Sequence, residues 1–366
     1  MTPADKQHRQ AGRLGYSTGA CAAAASLAAV HGLIHGTLPK QVYCQLPNAQ
    51  RVAFSIAHGE QNAHSACATV IKDAGDDPDC THGAAINACV QRLADQPGEI
   101  TLQGGEGIGI VTLPGLGLSV GDPAINPIPQ RNIKDNVRQA AQTLLPHHGL
   151  AITLSVTNGA QLAQKTLNPR LGILGGLSIL GTTGLVRPYS TAAFRLTVIK
   201  SIAVAHAQGL DTVVLSTGGR TEKCAMRTWA HLPPPAFVQM GDFVGAAFKT
   251  LIRHQIPHII LSAMVGKLTK IAQGHAITHA HHAPLDTRLV AQIAQECGVD
   301  PALCQTIAQA KTARFAAEQL HPLGLAEIFH QTLAHKARQA IYHHYPGNYT
   351  LNILVCDFNG QPITHI

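Results

Sequence analysis

The feature that most constrains this chain is a change of hydrophobic rhythm near residue 170. From Leu171 onward, short apolar runs alternate with helical patterns. Strand-like segments at 172–174, 212–216, 237–240 and 258–263 are interleaved with helical ones at 190–208, 221–231 and 243–255. Strand and helix in turn at this spacing predict a parallel sheet with helices on its faces. Residues 288–345 then read as mostly helical, and the apolar run 350–356 as a returning strand.

Upstream the rhythm differs. A helix is expected from Thr18 to about His31, then a hairpin of 41–46 with 51–58 around Pro47 and Asn48. Further strands are expected at 68–72, 99–102, 108–113 and 151–156, and helices at 81–93 and 131–145. The fold class expected is therefore α/β plus α+β. An N-terminal two-layer α+β domain (1–165), to which the C-terminal segment could add, is joined to a Rossmann-like α/β domain with a largely parallel sheet (166–287). A helical segment with a final strand (288–366) completes the chain. At 366 residues and 45% apolar content, two cores are expected rather than one.

Charge narrows the partners. Lysine and arginine (27) exceed aspartate and glutamate (20), for a net charge of +7, and 22 histidines add positive charge as pH falls. Such a surface favours anions. The basic residues are scattered and only 4% of the chain is aromatic, so nucleic acid is not the expected partner. Nine cysteines with no CxxC pair argue for reduced cytosolic thiols and fit no zinc template. Lys6, Arg9 and Arg13 before the apolar run 20–30 mimic a secretory signal, but alanine dominates that run and Thr18 sits where a helix N-cap belongs. A cytoplasmic protein that meets no membrane is the expectation.

Several motifs carry chemistry. Ser216-Thr217-Gly218-Gly219-Arg220-Thr221-Glu222 follows a buried-looking strand and opens a helix. Glycines there let backbone N–H groups approach a nucleoside or a carboxylate, with Thr217, Gly218 and Gly219 lining the loop. Glu222 could accept from ribose hydroxyls or simply complement the helix dipole. Gly104-Gly105-Glu106-Gly107-Ile108-Gly109 fails the dinucleotide fingerprint and reads as a glycine-rich hairpin or bulge. Gly266-Lys267 lacks the upstream glycine of a P-loop.

Asp73, Asp76, Asp77 and Asp79 could ligate a hard cation, although caps and turns are the commoner use of such residues. His275, His279, His281 and His282 suit anion binding or proton handling better than a structural metal, with no cysteine or carboxylate close by in sequence. The stretch 168–188 carries Arg170, Arg187, Thr182 and Thr183 among glycines, a composition suited to a ligand with several carboxylates or to a buried strand with its turns.

Taken in order, these segments resemble the CbiD-type cobalt-precorrin-5B C1-methyltransferases of corrin biosynthesis. The carrying residues are Gly15-Tyr16-Ser17-Thr18-Gly19-Ala20-Cys21, Lys72-Asp73-Ala74-Gly75-Asp76-Asp77-Pro78-Asp79, Thr81-His82-Gly83, the 104–109 glycines and Pro123-Ala124-Ile125-Asn126-Pro127. They continue through Asn168 to Gly176, Gly181-Thr182-Thr183-Gly184, Arg187-Pro188, Met240-Gly241-Asp242-Phe243-Val244-Gly245, Val265-Gly266-Lys267-Leu268 and the His279 cluster. Where many relatives carry a Pro-Gly-Asn type loop, this chain has Ser216 to Thr221.

The resemblance implies methylation of ring carbon C1 of cobalt-precorrin-5B, with S-adenosylmethionine as co-substrate and cobalt carried by the substrate, not by the protein. The cofactor site is expected at Thr217, Gly218, Gly219 and Glu222 from the loop's own strand-to-helix context, since the resemblance departs at this loop. Substrate contacts are expected at Lys72, Asp73, Arg170, Thr182, Thr183 and Arg187. Lys267, His279 and His281 become candidates for binding carboxylates or shifting ring protonation, and a homo-oligomer is compatible with all of this. Two other classes stay open: a non-catalytic tetrapyrrole-binding carrier and an α/β oxidoreductase. The retained Thr-Gly-Gly loop weighs against the first and the failed dinucleotide fingerprint against the second.

Overall fold

The computed structural model describes residues 12–188, 190–279 and 284–366. They form a mixed α/β protein whose sheets combine parallel and antiparallel strands, in two compact units, Met1–Ser190 and Thr191–Ile366.

In the first unit, β1 (Gly15–Tyr16) leads into α1 (Thr18–His35). The Ser17 side chain accepts from the Ala20 N–H at 3.2 Å, and Gly36 ends the helix at φ 69°, a left-handed conformation that glycine adopts without strain. Nearly every residue of α1 is buried, because its alanines allow close approach on all sides. Strands β2 (Gln41–Gln45) and β3 (Arg51–Ser55) form the expected hairpin. Strands β4 (His58–Gln61), β5 (Ser65–Ile71), β6 (Ala85–Leu93) and β7 (Ile100–Gly104) follow. The short β8 (Ile110–Val111), α2 (Pro127–Ala140), β9 (Gly149–Val156) and α3 (Gly159–Ala163) come next. Five of these strands make a sheet in the order β4-β5-β6-β9-β7, in which only β7 and β9 run parallel. Ala66, Ala68 and Val70 of β5 and Ile86, Ala88 and Val90 of β6 point into the core shared with α1 and α2. The unit closes with β10 (Ile173–Leu174) on β8 and β11 (Leu185–Val186) on β1.

Three expectations change here. The helix expected over 81–93 is the strand β6, since Ile86, Ala88 and Val90 are buried at every second position, the period of a strand. The chain from 166 to 190 belongs with the first unit, so the 165/166 boundary moves. The Thr18 hydroxyl donates to the Ser178 carbonyl at 3.0 Å and accepts from the Leu180 N–H at 2.9 Å, and Ser17 N–H donates to the Gly184 carbonyl. Cys67 and Cys89 are opposed in the β5/β6 register and joined by a disulfide, which corrects the reading of all thiols as reduced.

The second unit runs α4 (Thr191–Ala207), β12 (Thr212–Ser216), α5 (Gly219–Thr228), β13 (Phe237–Gln239), α6 (Val244–Arg253), β14 (His258–Met264) and α7 (Val265–Ala272). Four more helices follow, α8 (Thr287–Glu296), α9 (Pro301–Ala308), α10 (Ala313–Leu320) and α11 (Ala326–His344). The chain ends in β15 (Thr350–Cys356) and β16 (Pro362–His365). The sheet order is β13-β12-β14-β15-β16, parallel except for the edge strand β16. The final strand therefore completes this sheet and adds nothing to the first unit. Val213 and Leu215 pack into one core with α4, α6, α7 and α11, while Val214 packs into another with Cys224 and Ala225 of α5. Burial on both faces explains why β12 and β14 read as unbroken apolar runs.

Among the described residues one helix, Thr18–His35, is long and apolar enough to cross a membrane by length and composition, and 83% of that window is buried inside the protein.

Candidate functional site

In the second unit the chain steps from β12 outward to β13, then returns past β12 to β14. The strand order reverses between β12 and β14, and in open parallel sheets such a reversal opens a crevice at the carboxyl ends of the strands. Thr217-Gly218-Gly219 leaves one strand there, and Val265-Gly266-Lys267 leaves the other.

Lys267 joins the two. Its Nζ donates to the Thr217 carbonyl at 2.7 Å and pairs with Asp242 Oδ1 at 3.0 Å. Asp242 follows the left-handed Gly241 just past β13, accepts from the Thr278 hydroxyl at 2.9 Å, and receives the Thr278 N–H on its carbonyl. Burial pushes the Asp242 carboxyl up, but the hydrogen bond and charge of Lys267, with Thr278 and nearby His279, outweigh it and hold it below its ordinary value. The exposed His279 thus lies in the electrostatic reach of this pair, whereas His281 lies outside the described residues.

Lys267 was expected to act on substrate. Its ammonium bonds Thr217 and Asp242 and so holds the loop in place, while its side chain stays 36% exposed. Thr217 is buried at 4% exposure, its N–H and hydroxyl both directed to the Ser262 carbonyl of β14. Gly218 is half-buried and Gly219 exposed, while Glu222 is half-buried in the first turn of α5.

The glycines at this edge are unusual in one respect. Among the described glycines outside the left-handed region, only Gly218 and Gly266 have no atom within 4 Å of the position a Cβ would take, and Gly219 meets only Gln239 Nε2 at 3.8 Å. Elsewhere a reason for glycine is visible: a Cβ on Gly15 would lie 1.9 Å from the Ala74 carbonyl carbon, and one on Gly176 would lie 2.3 Å from the Gly107 backbone. At 218, 219 and 266 neither backbone conformation nor protein packing demands glycine.

The substrate candidates of the first unit gather around the segment 13–18. Arg13 makes a two-pronged ion pair with Asp73, which also caps the Gly75 N–H and is held down to about 2, chiefly by the Arg13 hydrogen bond. Lys72, at 1% exposure, is sealed against Asp79 at 2.7 Å, and Asp79 in turn accepts from Thr81 N–H and hydroxyl. Burial raises the Asp79 carboxyl, and the Lys72 and Thr81 bonds more than reverse it.

Lys72 is therefore buried in an ion pair of the fold, which takes its ammonium away from the surface, whereas the Asp73 side chain stays 40% exposed beside Arg13. The aspartates serve as caps and turn formers, with Asp76 accepting from Arg13 N–H. Among the described residues, no group of three or more His, Cys, Asp or Glu could hold a metal ion. Thr182, Thr183 and Arg187 are exposed on and beside the loop that Ser17 and Thr18 anchor, and half-buried Arg170 lies on the short turn Pro169–Leu171. That turn is tied in through Asn168, whose side chain bonds the Gly176 carbonyl and the Ser178 hydroxyl.

Sequence reasoning quoted Asp242 and Gly266 only as parts of longer motifs and missed Thr278. The available cue was position: Asp242 and Gly266 fall two and three residues past the apolar strand-like runs 237–240 and 258–263.

Comparison with known proteins agrees in extent as well as order. The family model described as CbiD matches residues 5–188, and that described as CbiD, C-terminal domain, matches residues 277–365. A protein of Dechloromonas aromatica named cobalt-precorrin-5B C(1)-methyltransferase is 56% identical over 356 residues, covering 97% of this chain and 91% of its own. One of the same name from Polaromonas naphthalenivorans is 51% identical and covers 98% of each chain. The crystal structure of a cobalamin biosynthesis protein from Archaeoglobus fulgidus matches at 25% identity with a TM-score of 0.39, covering 70% of this chain and 78% of its own. With both family models matched in order and relatives this similar along nearly its whole length, the chain belongs to the CbiD family.

Proposed function

We propose that this protein is an S-adenosylmethionine-dependent C-methyltransferase that converts cobalt-precorrin-5B to cobalt-precorrin-6A in corrin biosynthesis, in the cytoplasm. The observation that carries the reading is the 56% identity, over 97% of the chain, to a relative bearing that activity in its name. The second unit is read as a Rossmann-like donor-binding domain, and the three glycines without neighbours at the β12/β14 crevice fit the passage of a nucleoside against bare backbone.

When bound, the donor supplies a methyl group on a sulfonium, already a good leaving group. The chain's task is then placement and orientation rather than nucleophilic attack. Gly218 and Gly219 supply the close backbone, Glu222 a carboxylate for ribose hydroxyls, and Lys267 with Asp242 fixes the loop that carries them.

Arg170, Arg187, Thr182 and Thr183 of the first unit are assigned to the acetate and propionate carboxylates of the macrocycle, with the net charge of +7 favouring its capture. His279 is assigned to carboxylate binding or ring protonation, buried Lys72 leaves the substrate set, and Asp73 stays in it. Cobalt enters as part of the substrate. The test is incubation with cobalt-precorrin-5B and isotopically labelled S-adenosylmethionine, followed by mass analysis of the corrinoid. A gain of one labelled methyl at C1 is the expected result, and an unchanged corrinoid sinks the reading.

A further inference from the structure

We infer that the first turn of α7, at Gly266, is a second contact surface for the methyl donor beside the Gly218-Gly219 loop. The inference rests on the donor lying at this edge of the sheet, and it adds a residue that neither the loop motif nor the cap chemistry identifies.

Gly266 is the second residue of an eight-residue helix and has an ordinary right-handed conformation that any side chain adopts. Glycine is a poor choice there, because it gives up helix propensity without gaining conformational freedom that the site uses. The usual compensation is close packing, and none exists: no atom lies within 4 Å of the missing Cβ. Of the residues around it, only Lys267, 36% exposed on its side chain, offers a ligand anything besides the Gly266 backbone. Val265 and Leu268 are buried in the core, and the Lys267 ammonium is held by Thr217 and Asp242.

The same Lys267 bond places this turn next to the Thr217-Gly218 loop, where the strand order reverses. The described glycines that lack both a packing and a conformational reason are thus confined to one crevice. A nucleoside sulfonium seated there touches backbone on both sides, and a side chain at 266 takes up its space.

The test measures S-adenosylhomocysteine affinity by titration calorimetry for the wild-type chain, Gly266→Ala and Gly266→Val, together with the melting temperature of each without ligand. The expected result is a loss of affinity of at least about tenfold for Gly266→Val and a smaller loss for Gly266→Ala, with melting temperatures unchanged or higher. Equal affinities in all three proteins overturn the inference while leaving the methyltransferase reading intact. A lower melting temperature for Gly266→Ala also overturns it, since the space would then belong to the protein. If the wild-type chain itself shows no saturable binding, the donor site falls and the inference falls with it.

Discussion

The Lys267 ammonium of α7 lies 2.7 Å from the main-chain carbonyl of Thr217, at the end of a neighbouring strand. With Asp242 as its second partner, one cation fastens the carboxyl ends of β12, β13 and β14. Lys267→Met is expected to weaken S-adenosylhomocysteine binding by about 10- to 100-fold, the range for losing a hydrogen bond from a charged group, with partial recovery in Lys267→Arg. Titration calorimetry reads both. Because Asp242 titrates below its ordinary value, the pair is intact at neutral pH and is lost only as pH falls through that depressed value.

Two glycines of opposite character offer a direct contrast. In Gly15→Ala the new methyl would stand 1.9 Å from the Ala74 backbone, so the first unit should lose about 3 kcal/mol or more. Gly218→Ala has open space and an extended φ of 172°, so its stability should stay within about 0.5 kcal/mol of wild type while S-adenosylhomocysteine binding weakens. Denaturant unfolding of both variants decides the matter, and a stable Gly15→Ala protein would contradict the packing described.

Lys72 was a natural candidate for substrate contact, yet its ammonium is sealed against Asp79. Removing one partner of such a pair leaves a desolvated charge, so Lys72→Ala is expected to cost about 3 kcal/mol, visible as a shift of the urea midpoint. Asp79→Asn should be destabilising too, and the double variant should be less than additive. If Lys72→Ala unfolds like wild type and only substrate affinity changes, the structural role assigned to it is wrong.

His330 gives the second unit a pH response. It is buried in α11 against the Ala326 carbonyl, and burial lowers its pKa below the ordinary 6.5 despite that hydrogen bond. The unfolded chain therefore takes up the proton first. Stability is full above about 6.5 and declines as pH drops toward the folded value, by at most about 1.4 kcal/mol per pH unit. Melting curves between pH 7.5 and 5.5 should fall less steeply for His330→Gln. Equal slopes would mean that other groups govern the response, His254 being one whose pKa is lowered in the same direction.

The second unit was the more readable half, and the reason is physical. Strands buried on both faces, such as Thr212–Ser216, appear as unbroken apolar runs bounded by turn residues, and their helices fill the intervals between them. The first unit hid β6 because its small residues, among them Ala85, Ala88 and Asn87, blur the alternation that Ile86 and Val90 carry. The Gly218-Gly219 loop was legible as a motif. The roles of Lys72 and Lys267 were not, since whether an ammonium faces a ligand or a buried partner depends on contacts that are distant in the chain, such as the 50 residues separating Lys267 from Thr217. For the glycine at 266 the sequence carries no local signal of the open space around it, because that space is set by elements distant in the chain.

Helix α1 turns a run of alanines, Ala20 and Ala22–Ala25 with Ala28 and Ala29, toward the core of the first unit. A leucine can swing to another rotamer when a neighbour grows; an alanine has no such freedom, so where the alanines face β5, β6 and α2 the spacing is held close to the main chain. The least chemically distinctive stretch of the protein is thus a gauge block for the first unit, and enlarging any one of its alanines should displace the loop anchored at Ser17 and Thr18 before it disturbs any exposed residue directly.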